Sequence, residues 1–204
     1  MTELPTADYK GLFASAAIIL SVIGFIPYIR SIITGMTKPH IFTWAIWSIT
    51  MTIAFAAQLS AGANLGAYQT GFFAFVTILI CMLSLKYGEK NISRTDCLFL
   101  ALALLAIPVW LITNTALYAV LIVLIIDILG YLPTIRKSIT KPHEENALAY
   151  FIAAISFGMA ALAIEHYSLT TAIYPIVIML MNIGFTAFLI TQRQRIERRA
   201  HPLS

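Results

Sequence analysis

Charge is what this chain has least of. Of its 204 residues only 11% are Asp, Glu, Lys or Arg, while 60% are hydrophobic and the mean hydropathy is +0.87. So little charge cannot clothe the surface of a soluble globule, and the composition is that of a membrane protein. Cysteine is nearly absent. Cys81 and Cys97 stand in apolar stretches without CxxC spacing, which leaves buried, reduced thiols as their reading. The histidines, at His40, His143, His166 and His201, are scattered, and HExxH, GxSxG, P-loop and Rossmann patterns are all missing. No enzyme chemistry, cofactor or metal site is expected. The opening MTELPTADYK is acidic and lacks a cleavage site, so no removable signal peptide is expected either.

What the chain has is long apolar runs broken by short Gly, Asn, Lys and Thr turns. With roughly 20 apolar residues per spanning helix, it predicts an all-α polytopic protein of seven transmembrane helices, at 11–33, 41–60, 65–87, 96–112, 115–137, 147–165 and 170–191. The second and sixth carry polar side chains (Trp44, Trp47, Ser48 and Thr50; Tyr150 and Ser156), so one face of each is expected against protein or water.

Basic residues are one-sided. Arg30, Lys38, Lys86, Lys90, Arg94, Arg136, Lys137, Lys141, Arg193, Arg195, Arg198 and Arg199 fall on one side of a seven-span chain, and only Lys10 on the other. The positive-inside rule then predicts an external N-terminus and a cytoplasmic tail at 192–204 in the cell's inner (plasma) membrane. The basic balance is thus a topology signal, and no nucleic-acid partner is expected. The lipid bilayer and a small-molecule solute are the expected partners, with homo-oligomerisation left open.

Two segments read almost alike: GFIPYIRSIITGMTKPHIFTW from Gly24 and GYLPTIRKSITKPHEENAL from Gly130. Pro133 follows Pro27 by 106 residues and His143 follows His40 by 103. An even number of spans separates the copies, so they insert with the same orientation, as parallel repeats about an axis along the membrane normal. The expected layout is 3+1+3: a triple-helix repeat at 11–87, a linker helix at 96–112 and a second repeat at 115–191. Each repeated block is then one corner of a half, a helix end that can kink followed by a fixed turn. Pro39 and Pro142 suit the first turn of the next helix, with Thr37 and Thr140 nearby as caps.

At these residues the chain resembles the SWEET/PQ-loop transporter superfamily, built as three helices, a linker and three helices, with a Pro-containing motif ending the first helix of each triplet. The family's Gln after the proline is replaced by Tyr28 and Thr134. The resemblance implies alternating-access movement of a small solute, with the prolines as flexing points. It also implies a mid-path Asn in the third and seventh helices. Asn182 matches the seventh; aligned through Leu65 and Leu169, the third offers Ile78 beside Thr77. Gln58 stands where sugar-moving relatives tend to have Trp.

The residues themselves support particular roles. A proline inside a helix removes a backbone hydrogen bond, and in a bilayer the freed carbonyl needs another partner; Pro27 and Pro133 are therefore hinge candidates, with a static kink as the plainer alternative. Pro108 and Pro175 have no counterpart and read as kinks. Asp127, in VLIVLIIDILGYLP, is the outlier, because a charge at mid-membrane is costly without a cavity or partner. It is the proton-coupling candidate, or else a neutral carboxyl bonded to a neighbouring helix; its repeat equivalent is Ser21. A solute site of Gln58 and Asn182 beside Asp127, walled by Trp47, Tyr131 and Tyr150, would suit a hydrogen-bonding solute, though aromatics also serve packing and interface belts. Arg30 and Arg136 complement helix C-termini, or form a cytoplasmic gate with Glu144 or Glu145, or draw in an anion. The leading expectation is a transporter of a small polar solute, facilitative or proton-coupled. A non-transporting receptor on the same scaffold is the alternative, and an assembly subunit a third.

Overall fold

A computed structural model describes residues 6–36, 39, 41–88, 94–140 and 142–200. Seven α-helices order these residues: α1 (Thr6–Ile33), α2 (Ile41–Ser60), α3 (Tyr68–Tyr87), α4 (Arg94–Thr113), α5 (Ala116–Thr140), α6 (Ala147–Leu162) and α7 (Leu169–Ala200). Short 3₁₀ turns at Asn64–Ala67 and Pro142–Glu144 lead into α3 and α6. No strand occurs among the described residues.

Helix ends follow local chemistry. The α2 bounds are those predicted, and the α1–α2 and α2–α3 turns use Gly35 (φ 75) and Gly62 (φ 84), a backbone region that costs glycine nothing. Beyond Thr191, where the predicted span ends, α7 continues to Ala200, because Gln and Arg propagate a helix well even where they are too polar for lipid. Its start is fixed reciprocally: Ser168 Oγ accepts from Thr171 N–H at 3.2 Å and Thr171 Oγ1 from Ser168 N–H at 2.8 Å. The side chain of Thr140, a cap candidate, lies outside the described residues. Thr140 closes α5, and α6 is capped by Asn146, whose side chain accepts from Ala149 N–H at 3.2 Å. Thr37 lies outside the described residues.

Among the described residues four stretches are long and apolar enough to cross a membrane: Tyr9–Ile33, Ile41–Ser60, Asn64–Tyr87 and Leu169–Arg198. A 20-residue helix such as α2 measures about 30 Å, the thickness of a bilayer's hydrocarbon. The distribution of side chains agrees. Large aliphatics point outward, with Ile112 83%, Leu111 77% and Ile23 52% exposed, while Gln58, Gln69 and Thr50 are fully buried. A soluble bundle would aggregate through so much open apolar surface. Lipid is the solvent this surface fits.

Packing sets the helices around one core of Met51, Phe73, Val123, Phe157, Tyr174 and Ile178. Within the chain's first three helices α3 packs on both α1 and α2; within the last three α7 packs on both α5 and α6. Across these groups α1 meets α6 and α2 meets α5, and α4 lies against α2 and α5. At one end of the bundle the α2–α3 and α6–α7 turns touch. A Cβ on Gly66 would come within 2.9 Å of Ile164 N and 2.8 Å of its Cα, so only glycine admits this approach. Glu165 N–H donates to Ala63 O at 3.4 Å, and Asn64 Nδ2 donates to Glu165 Oε2 at 2.7 Å.

Candidate functional site

The predicted solute and coupling residues lie on α2, α5, α6 and α7. Asp127, 2% exposed, sits on α5 with its carboxyl fully engaged: Thr50 Oγ1 of α2 donates to Oδ1 at 2.9 Å and Tyr174 Oη of α7 donates to Oδ2 at 2.5 Å. Three helices thus meet at one carboxyl. Thr50 was expected only to face protein or water, and Tyr174 was not singled out at all. The helical spacing of Tyr174 from Ile178 and Asn182, four and eight residues on, is the signal that puts it on the same buried face.

One turn beyond Asp127 on α5, Tyr131 reaches Asn182. Its hydroxyl donates to Asn182 Oδ1 at 3.3 Å, while Asn182 Nδ2 donates to Ile178 O at 2.8 Å. Asn182 lies eight residues, about 12 Å, along α7 from Tyr174. Tyr131 and Tyr150 then share Phe185 edge-on, at ring separations of 5.8 and 4.6 Å, and Tyr150 Oη donates to Glu145 Oε2 at 3.2 Å. The result is a continuous line of polar and aromatic groups, Asp127, Tyr131, Asn182, Phe185, Tyr150 and Glu145, running from mid-bundle toward the α5–α6 turn. Trp47 approaches from α2: its Nε1 would lie 3.4 Å from a Cβ on Gly130, which puts the indole against α5 one residue before Tyr131. Trp47 also packs edge-on against Trp44, whose ring lies 5.4 Å from that of Tyr28.

Gln58 is not part of this line. It is fully buried near the far end of α2 and accepts from Thr70 Oγ1 at 3.2 Å, inside its own α2–α3 hairpin. Among the described residues it shares no hydrogen bond with Asp127 or Asn182, and its Nε2 has no partner. On α3, Ile78 is 42% exposed while Thr77 is buried, so the inward one of these two positions is Thr77.

Pro27 lies within α1, on an exposed face, and the helix continues past it to Ile33. Arg30, in the last turn, is exposed. The side chains of Pro133, Arg136 and Glu144 are outside the described residues. A cation that sequence counting treated only as topology has a structural partner: Arg193 donates from Nη2 to Glu145 O at 2.6 Å and to Pro142 O at 3.2 Å, fastening α7 to the α5–α6 turn. An apolar groove between α6 and α7, lined by Phe151, Ile155, Gly158, Met159, Met179 and Ile183, is separate from the polar line and faces outward. Among the described residues no group of three or more His, Cys, Asp or Glu converges to hold a metal.

No family model, curated protein or solved structure matches this chain.

Proposed function

We propose that this protein is a transporter of the inner membrane that moves a small, hydrogen-bonding solute by alternating access between two parallel three-helix halves, α1–α3 and α5–α7, with α4 as the linker. The observation that carries this reading is a shared register of burial. On α1 the buried positions Ala14, Ala17, Ser21 and Ile32 correspond, 106 residues on, to buried Val120, Val123, Asp127 and Ser138 of α5. On α3, Gln69, Phe73, Thr77, Ile80 and Ser84 correspond, 105 residues on, to buried Tyr174, Ile178, Asn182, Phe185 and Leu189 of α7. The third helix also lies between the first and second in each group. Equal faces turned inward by two like units are what a path between parallel repeats requires.

The polar line from Asp127 through Tyr131 and Asn182 to Tyr150 supplies donors and acceptors within reach of aromatic walls, the chemistry of a site for a polar solute. Asp127 is the coupling carboxyl in this scheme, Pro27 and Pro133 the hinges, and Arg30 and Arg136 the cations of a cytoplasmic gate. The charge asymmetry sets the N-terminus outside and the α7 tail inside. The protein acts as a carrier and catalyses no reaction.

Mass spectrometry of small molecules co-purifying with the protein, followed by flux of each into protein-containing vesicles under an imposed pH gradient, tests the role. We expect uptake above empty vesicles. Asp127→Asn should leave thermal unfolding nearly unchanged, since the amide is close to isosteric, and remove the response to the gradient. Binding without flux would replace the transporter by a receptor on the same scaffold.

A further inference from the structure

The buried polar groups of the bundle form two clusters in related places. In one, Asp127 of α5 is held by Thr50 of α2 and Tyr174 of α7. In the other, Ser21 of α1 meets Ser156 of α6 with hydroxyl oxygens 2.7 Å apart, and Gln69 of α3 donates to Ser156 Oγ at 3.1 Å. Asp127 lies 106 residues after Ser21, and Tyr174 lies 105 after Gln69. The third members, Thr50 and Ser156, sit on α2 and α6, about one turn from strict equivalence in the 103-residue register of the preceding turns. Each cluster therefore ties a first helix to its own third helix and to the second helix of the other half.

They differ in what happens to a proton. Ser21 and Ser156 both lie 2.8 Å from the same carbonyl, Ala17 O, and neither side chain changes charge. Around Asp127 each hydroxyl has a second acceptor in waiting. Thr50 Oγ1 is 3.2 Å from Trp47 O, and Tyr174 Oη is 3.1 Å from Met51 Sδ. A hydroxyl has one hydrogen to donate. With Asp127 ionised, both hydroxyls donate to the carboxylate. When Asp127 takes a proton, the new O–H donates to one hydroxyl oxygen, and that hydroxyl rotates its own hydrogen to Trp47 O or Met51 Sδ. One donor is added and one waiting acceptor is used, so every group stays paired in both states. The titratable groups facing Asp127 are Tyr174 from α7 and Tyr131 from α5 itself; α2 presents Thr50, and no charged side chain described on α2, α4 or α7 acts on it.

We propose that Thr50 and Tyr174 are positioning residues that let Asp127 gain and lose a proton inside the bundle without breaking the α2–α5–α7 junction. The Ser21–Ser156–Gln69 cluster is its fixed counterpart on the other seam. This assignment rests on Asp127 being the coupling carboxyl, but its test needs no solute.

The probe is the protonated-carboxyl stretch in pH-difference infrared spectra of the full-length protein in liposomes, assigned by its loss in Asp127→Asn. Tyr174→Phe and Thr50→Val should each move the midpoint of that band by about one pH unit, a roughly tenfold change in proton affinity. Thr50→Ser, which keeps the hydroxyl, and Ser21→Ala, in the other cluster, should leave it in place. Should Tyr174→Phe fail to fold, the contrast between Thr50→Val and Thr50→Ser decides alone. Absence of an Asp127-dependent titrating band, or equal shifts in Thr50→Val and Thr50→Ser, would overturn the assignment. A band that titrates as described in a protein without pH-dependent flux would retire the transport coupling and leave the cluster standing.

Discussion

Where α2 turns into α3 and α6 into α7, the two turns are bound to each other; at the opposite end the described contacts bind each turn to its own neighbour. At the first end Gly66 lies against the Ile164 backbone, Gly62 against the His166 ring, and Asn64 and Ala63 bond to Glu165. Lys10 of α1 also reaches across to Glu165 O at 3.2 Å. All of these join the first three helices to the last three. At the other end Gly88, after α3, lies against the carbonyl of Pro39 in the α1–α2 turn, and Arg193 of α7 clamps Pro142 and Glu145 of the α5–α6 turn. These stay within one group of three. The difference teaches how such a bundle can hold one end shut while leaving the other free to part: at the first end a close backbone approach at Gly66 joins the two groups of helices, whereas at the other the Gly88 approach and the Arg193 clamp each stay inside one group.

The sharpest way to break the comparison is Gly66→Val. Its new atoms meet Ile164 N and Cα, which cannot rotate aside, so a loss of about 1–3 kcal/mol in unfolding is expected. Hydrogen exchange should rise in 62–66 and 163–168 together; a rise in only one segment would mean that the turns do not seal each other. Gly11→Ala, with nothing within 4 Å, is the matching control.

A smaller effect is expected at the other end from Arg193→Gln, which removes charge-assisted bonds to two carbonyls and should cost about 1–2 kcal/mol. Its signature is local. Exchange should quicken over 142–146 while 62–66 keeps its protection, and coupled loosening of both ends would contradict the idea that the contacts here stay within one half.

Asn64→Gly, which fits the positive φ of 46 at this position without strain, should weaken the closed end by less than about 1 kcal/mol, because the bond to Glu165 that it removes is exposed. Lys10→Met should fall within about 0.5 kcal/mol of the parent protein in thermal unfolding. A larger loss there would show that α1 contributes more to the seal than one terminal hydrogen bond.

Much of this architecture was legible because its signals are local. The apolar runs, their breaks and the repeated Pro-x-Ile-Arg block depend on neighbouring residues, and the helices begin and end close to where those signals stand. The departures have local causes too. Asn146 caps α6 because an extended Asn directly before the helix can accept from the third residue on. Ile78 and Thr77 are adjacent, and an alignment carried from a turn some ten residues away cannot choose between neighbours that face opposite ways; burial chooses Thr77. The polar line of the candidate site was legible as an inventory, with Asp127, Tyr131, Tyr150 and Asn182 all named, and illegible as a set of partners.

By itself the sequence determined that the chain is helical and apolar enough for a membrane, that a block recurs 106 residues on, and that one carboxyl is stranded in an apolar run. Those are properties of composition and period, written along a single strand of residues. Only the tertiary structure decided that the carboxyl is shared by Thr50, 77 residues before it, and Tyr174, 47 after it, that Gln58 turns to Thr70 instead, and that Gly66 is where two turns close on each other. The reason is physical. In a bundle whose outer face is apolar, an inward polar group has to look for its partner inside, and which partner it finds is set by how helices distant in sequence pack, a choice that no local pattern encodes.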